Sequence, residues 1–159
     1  MSYAIDGFAF AAESLVGRFL GAKNKSRLKS AIRYSFYWGF ALAAATSLLF
    51  AVFTFPILKI FTDKPDIIQK AQKYIIWTIF APLISCVSYI LDGIFIGATA
   101  GRAMRNAMAL SLFLIYLPLF YLLNSQLHNH ALWLALSAFM IARSIFLGMY
   151  YKKTIINIA

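Results

Sequence analysis

Three ionisable residues, Glu13, Asp92 and Arg143, each lie within a long apolar run of the sequence. If these runs form helices that cross a bilayer, each residue lies ~11–12 Å from the same end of its helix. A charge at that depth costs about 2.5–3.5 kcal/mol on insertion scales. We therefore expect the three side chains to face the protein interior or a wet cavity and to pair there.

Two kinds of chemistry suit such a group of residues. In the first, Arg143 forms a fixed salt bridge with one of the acids and holds the helices in register. In the second, a carboxylate alternates between protonated and ionised forms, or between sodium-bound and free forms, with burial and a nearby cation setting the balance. Asp92 is the predicted coupling residue, with Glu13 and Arg143 as further ion or substrate candidates. Asp6 shares a helix face with Glu13 and is a fourth candidate, predicted to lie much nearer the outer boundary.

Glycines recur at every fourth position beside these acids. Gly93, Gly97 and Gly101 follow Asp92, whereas Gly17 and Gly21 repeat the spacing in the first apolar run. Small residues at this spacing let membrane helices approach closely. The pattern predicts helix packing at these five positions, although by itself it indicates only a packed bundle.

Two prolines, Pro82 and Pro118, lie inside the third and fourth apolar runs. Membrane helices tolerate proline when neighbouring groups satisfy the carbonyl that loses its hydrogen bond. Each proline is therefore either a static kink or a hinge at which a moving helix bends.

The composition predicts an all-α membrane protein. The chain has 159 residues, of which 62% are hydrophobic and 13% are charged, whereas soluble domains average roughly a quarter charged. A soluble fold of this length could not bury so much apolar surface, so the lipid bilayer is the expected solvent. About five transmembrane helices are predicted, at about 3–21, 34–55, 74–99, 107–123 and 131–151.

The cations between the spans predict the orientation. Lys and Arg are concentrated in residues 22–33, residues 100–106 and the C-terminal tail, which share one side if the five spans alternate. The other side holds "NSQLHNH", without Lys or Arg, and the loop at 56–66. The positive-inside rule then places the C-terminus in the cytoplasm. The lysines that run against the rule are Lys59, Lys64, Lys70 and Lys73.

Other kinds of site are not indicated. The single cysteine, Cys86, excludes an internal disulfide framework, and His128 and His130 are predicted to lie in a loop without enough ligands for a metal. There is no P-loop, GxSxG or HExxH motif. We therefore predict no enzyme activity, metal or cofactor. The net charge of +10 lies in short connectors, which favours membrane topology over nucleic-acid binding.

Three stretches resemble helices of multidrug and toxin extrusion (MATE) transporters, especially their DNA-damage-inducible F branch. "IDGFAFAAESLVGRFLGAKN" resembles the eighth helix and the loop after it, "YILDGIFIGATAGRAMRNAM" the tenth helix, and "LWLALSAFMIARSIFLG" the twelfth. The positions that match the pattern of the eighth helix are Asp6, Gly7, Glu13, Leu15, Val16, Gly17, Gly21 and Ala22.

This resemblance implies a fold and a function. Such transporters have twelve helices in two lobes and exchange sodium ions or protons for organic cations and other drugs. The chain would then form part of the C-terminal lobe in a bacterial inner membrane, with the missing N-terminal helices as its partners. An acid in the tenth helix couples ions to transport in one branch of the family, and Asp92 falls at that place. In other relatives the coupling aspartate lies in the first helix.

Two hypotheses therefore remain open from the sequence. The chain is part of a secondary antiporter, as its midplane acids, kinked helices and alternating topology indicate. Alternatively, it is a structural membrane fragment that assembles with partner helices and transports nothing. An odd number of spans that starts outside without a signal sequence favours a piece of a larger protein under either hypothesis.

Overall fold

The computed structural model describes residues 2–151 and 154–155, with side chains from residue 6 onward. All of the elements in this part of the chain are helices. They are α1 (Ser2–Gly21), α2 (Lys25–Val52), α3 (Thr54–Phe61), α4 (Pro65–Gln72), α5 (Ile75–Gly97), α6 (Gly101–Ser111), a π-helical segment (Leu112–Tyr116), α7 (Leu117–Leu127) and α8 (Asn129–Tyr151). The tail cations Lys152 and Lys153, which entered the orientation argument, lie outside the described residues.

The basic connectors are largely helical. The side-chain Oδ1 of Asn24 accepts a hydrogen bond from the backbone N–H of Arg27 at 3.1 Å, which caps the first turn of α2. This helix therefore begins at Lys25, nine residues before the predicted second span. The residues 101–106 likewise form the start of a helix that continues through the π-helical segment to Leu127.

In the described part of the chain, four helices are long and apolar enough to cross a membrane by length and composition. They are Lys25–Val52, Ile75–Gly97, Gly101–Leu127 and Asn129–Tyr151. The first predicted span, now α1, is not among them, because its 20 residues include Asp6, Glu13 and Arg18. Whether α1 is a fifth membrane span stays a prediction, since three ionisable residues lie within its otherwise apolar sequence.

Helix α1 packs along α5 with very little space between the two backbones. A Cβ added to Gly93 would collide with the carbonyl of Ala9, and one added to Gly97 would collide with the carbonyl of Glu13. A Cβ on Gly17 would lie 3.3 Å from the carbonyl oxygen of Gly97. Since both residue numbers rise together along the contact, α1 and α5 run in the same direction.

The close-approach interpretation does not hold at Gly21 and Gly101. No neighbouring atom lies within 4 Å of a Cβ built at either position. Gly21 is the last residue of α1 and Gly101 is the first of α6, so both lie where their helices have already left the α1–α5 contact. The four-residue spacing of glycines therefore extends in the sequence beyond the region where α1 and α5 are in contact.

Helix α2 runs antiparallel to α5 and packs through a stripe of small residues that the sequence analysis missed. A Cβ on Gly39 would collide with the side chain of Ile90, and the hydroxyl of Ser47 donates a hydrogen bond to the carbonyl of Ile79. The stripe consists of Ser35, Gly39, Ala43 and Ser47, all buried. Its four-residue spacing equals that of the glycines that follow Asp92 in α5.

The core lies where α1, α2, α5 and α8 meet. Its largest fully buried side chains include Phe95, Ile90, Ile94, Leu147 and Val16. These residues lie on three different helices, α1, α5 and α8, and their close packing limits how far the helices can slide past one another.

Helix α8 is attached to α5 at its beginning as well as at mid-length. The indole Nε1 of Trp77 donates a hydrogen bond to Nδ1 of His130 at 3.0 Å. His130 therefore lies in the first turn of α8, not in a loop as predicted, whereas His128 occupies the turn before it with φ of 46°. This contact places the start of α8 beside the start of α5, so these two helices are parallel.

The two prolines lie in different surroundings. Pro82 is buried inside α5. Pro118 is exposed, is the second residue of α7 and lies two positions after the end of the π-helical segment. A wider helical turn next to a proline is a recognised way to relieve the lost hydrogen bond and the ring clash. Whether either residue acts as a hinge stays a prediction.

Candidate functional site

The carboxylate of Asp92 and the guanidinium of Arg143 form an ion pair between α5 and α8. The Nη2 atom of Arg143 lies 2.8 Å from Oδ2 of Asp92, and the two side chains are 10% and 14% exposed, respectively. The predicted pairing of an acid with Arg143 is therefore present, with Asp92 as the acid. Two opposite charges in contact offset much of the cost of removing each from water.

The pair leaves polar atoms without a partner. Within the described part of the chain, Oδ1 of Asp92, Nε of Arg143 and the hydroxyl of Ser88 are buried and make no hydrogen bond. Buried polar atoms in folded proteins are usually bonded, so each exception calls for a reason. An ionised carboxylate oxygen accepts a proton or an oxygen-loving cation. The free Oδ1 therefore has the chemistry to accept a proton or a hard cation.

A cavity of about 350 Å³ opens beside this pair. All four ionisable candidates line it, since Asp6 and Glu13 of α1 join Asp92 and Arg143. Asp6 was expected much nearer the outer boundary, apart from the other three. It reaches the same cavity because Asp6 and Glu13 are two helical turns apart on one face, ~10.5 Å along the axis, and the cavity extends over that length of α1.

The α1–α5 contact explains how the acids come together. Gly93 directly follows Asp92, and its lack of a side chain lets the backbone of α1 approach at Ala9. Gly97 allows the same approach one turn later, at Glu13. Larger residues at these two positions would move α1, and with it two of the carboxylates, away from Asp92.

Two residues of this region were not identified from the sequence. Tyr89 lines the cavity, and Ser88 is fully buried, with a hydroxyl that makes no hydrogen bond in the described residues. They precede Asp92 by three and four positions, so they lie on the same helix face. That spacing was available in the sequence and would have identified both.

The site consists of oxygen ligands and one guanidinium. Among the described residues, no group of three or more His, Cys, Asp or Glu side chains is placed to hold a metal ion. Carboxylate oxygens suit hard cations and protons rather than soft transition metals. A single carboxylate of this site has the chemistry to accept a proton or a hard cation, in competition with the guanidinium of Arg143.

Comparisons with known proteins agree on one family. The family model described as MatE matches residues 2–122. The chain is 36% identical over 157 residues to the DNA damage-inducible protein F of Escherichia coli strain K12. The aligned region covers 96% of this chain and 33% of that protein. It is 34% identical over 114 residues to the uncharacterised transporter YisQ of Bacillus subtilis strain 168, covering 71% of this chain and 25% of that protein.

A solved structure shows the same fold. The crystal structure of the eukaryotic MATE transporter AtDTX14 matches with a TM-score of 0.83 at 15% identity, over 97% of this chain and 36% of that one. The chain thus spans about a third of the length of the first of its curated relatives.

Proposed function

Because this chain belongs to the MatE family, we propose that it forms part of a secondary active transporter that exports organic cations or other drugs by sodium or proton antiport. The observation that carries the proposal is the buried Asp92–Arg143 pair, whose free carboxylate oxygen lies next to a cavity lined by two further acids. The proposal is further supported by a relative that is named as a transporter.

In this mechanism, ion binding at Asp92 competes with Arg143. A proton or a sodium ion at the carboxylate cancels the charge that attracts the guanidinium, so the contact between α5 and α8 weakens. A ligand shifts a conformational equilibrium only by its differential affinity for the two states. Loss of the ion pair supplies that difference, because the paired state is favoured when Asp92 is ionised and disfavoured when it is neutral.

Glu13 and Asp6 would attract the cation that is exchanged. Both carboxylates line the cavity beside Asp92, so a positively charged organic substrate entering it would meet acids while Arg143 repels it. Ion and substrate would then compete for the same electrostatic environment, which is what obligatory exchange requires. The packing glycines 93 and 97 hold α1 in place for this competition, and Pro118 is the candidate bending point.

We place residues 22–33 and 100–106 in the cytoplasm of a bacterial cell, with α3, α4 and residues 124–128 on the outer side. The contacts of α5 support this arrangement, since α1 and α8 run parallel to it and α2 runs antiparallel. The described cations of the two basic connectors thereby lie at one end of the bundle.

A role in assembly without transport is the second candidate. The chain spans about a third of its relatives' length, and large apolar side chains such as Ile60 and Phe61 are each 82% exposed. Lipid or the remaining helices of a complete transporter would cover such surfaces. On this alternative the Asp92–Arg143 pair only holds α5 and α8 in register.

The two candidates differ in what Asp92→Asn does. In vesicles that contain the complete transporter, substrate-driven proton or sodium flux should be lost or strongly reduced, because the amide keeps the shape of the side chain but cannot titrate. Glu13→Gln is the matched control, since it removes a charge from the same cavity and should reduce substrate affinity or stability more than coupling. Wild-type flux in Asp92→Asn would move the coupling site to another part of the transporter.

The 159-residue chain alone should give no flux, and robust flux from it would overturn the view that it needs partner helices.

A further inference from the structure

The exposed face of α2 carries cations first, then aromatic side chains and then aliphatic side chains along its length. Near its start it carries three exposed cations, Lys25, Lys29 and Arg33, spaced four residues apart. The next turns carry Tyr34, Tyr37 and Trp38, which are 56%, 67% and 56% exposed. The remainder is aliphatic, with Ala41, Ala44, Ala45, Leu48 and Val52 all exposed.

This order matches the layers of a bilayer leaflet. At 1.5 Å per residue the part of α2 from Tyr34 to Val52 extends about 27 Å, close to the ~30 Å of the hydrocarbon core, so the turns before Tyr34 extend beyond the core. The basic turns therefore reach the phosphate layer, the aromatic turns lie at the interface, where Trp and Tyr are enriched, and the aliphatic part lies among acyl chains. The opposite face of α2 packs on the bundle through Ser35, Gly39, Ala43 and Ser47.

In the described part of the chain, these cations have no acidic neighbour to neutralise them. The sequence contains no Asp or Glu between Glu13 and Asp63, and none of the three forms an ion pair with a described carboxylate. The guanidinium carbon of Arg33 lies 5.5 Å from the ring centre of Tyr34, which holds it at the boundary between the basic and aromatic turns. Arg27, Arg102 and Arg105 are also exposed and add to the positive potential at this end of the bundle.

We propose that this face of α2 is a binding surface for an anionic phospholipid. The phosphate contacts Lys25, Lys29 and Arg33, the glycerol region lies against Tyr37 and Trp38, and one acyl chain follows the shallow strip left by the alanines. A negatively charged headgroup is preferred over a zwitterionic one, because the surface offers only positive charge. Lipid bound here would hold the basic end of α2 at the level of the headgroups.

Native mass spectrometry of the detergent-solubilised protein tests the preference. The variant Lys25→Gln/Lys29→Gln/Arg33→Gln should lose affinity for phosphatidylglycerol by about 100-fold, at about fivefold per cation, and should bind phosphatidylcholine as before. The matched control is Lys59→Gln/Lys70→Gln/Lys73→Gln, which removes three positive charges at the other end of the bundle. This control should keep most of its affinity for phosphatidylglycerol. Lys25→Arg/Lys29→Arg keeps the charge and should retain binding. An equal loss in both triple variants would overturn the proposal, as would displacement of phosphatidylglycerol by inorganic phosphate at equal concentration.

A second measurement uses the unaltered surface. In a Trp77→Phe/Trp133→Phe background, Trp38 is the remaining tryptophan, and circular dichroism checks that the helices are retained. Phosphatidylglycerol with brominated acyl chains should quench Trp38 more strongly than brominated phosphatidylcholine at the same mole fraction in mixed vesicles. Equal quenching by the two lipids would refute the headgroup preference. Absence of quenching by either would mean that another protein segment covers this face.

Discussion

The contact between α1 and α5 makes the stability of the bundle sensitive to one methyl group at Gly93. In Gly93→Ala the new Cβ would fall on the carbonyl of Ala9, a backbone atom that no rotamer change can move. The two helices must therefore separate, and overpacking of this kind typically costs about 1–3 kcal/mol. Gly148 of α8 is the matched control, since nothing lies within 4 Å of a Cβ built there. Gly148→Ala should instead stabilise the helix by about 0.5–1 kcal/mol.

The same substitution is thus expected to have opposite signs at two positions, with a difference of about 1.5–4 kcal/mol. The free energy of unfolding in mixed micelles with increasing dodecyl sulfate, followed by circular dichroism, measures that difference. Gly97→Leu should be more severe than Gly93→Ala, because it adds four carbons against the backbone of Glu13. Equal stability of Gly93→Ala and Gly148→Ala would show that α1 does not approach α5 as closely as described.

Three further predictions concern the pair, the orientation and the π-helical segment. Arg143→Gln leaves Asp92 buried without its partner and should cost about 3–5 kcal/mol of unfolding free energy; adding Asp92→Asn should restore most of that loss, and simple additivity would contradict the pairing. In a Cys86→Ser background, Ser125→Cys should react with an impermeant maleimide on intact cells, whereas labelling only after permeabilisation would reverse the proposed orientation. Pro118→Ala should straighten the adjoining π-helical turn and slow transport by the complete protein with little change in thermal stability, and an unchanged rate would make Pro118 a static kink.

The helical class and the main polar pair could be predicted from the sequence, because both follow from local rules. A charge deep in an apolar run must find a partner, and Arg143 was the cation whose depth matched that of Asp92. The register of α1 against α5 was less accessible. It depends on which glycines face a backbone, and Gly93 and Gly97 do so while Gly21 and Gly101 do not. Spacing alone does not distinguish these pairs.

Other features escaped for related reasons. Asp6 was separated from the rest by its depth along α1, but a cavity two turns long admits residues at different depths. The stripe of small residues on α2 was missed because it mixes Ser, Gly and Ala, although its spacing equals that of the glycines on α5.

The central claim is that Asp92 gives up its ion when substrate enters the cavity. The direct measurement is ion release from the complete transporter in weakly buffered detergent solution on addition of an organic cation such as ethidium, with proton and sodium electrodes read together. We expect release of one of the two ions from the wild type and none from Asp92→Asn, with substantial release retained in Glu13→Gln. Equal release from the wild type and Asp92→Asn would contradict it.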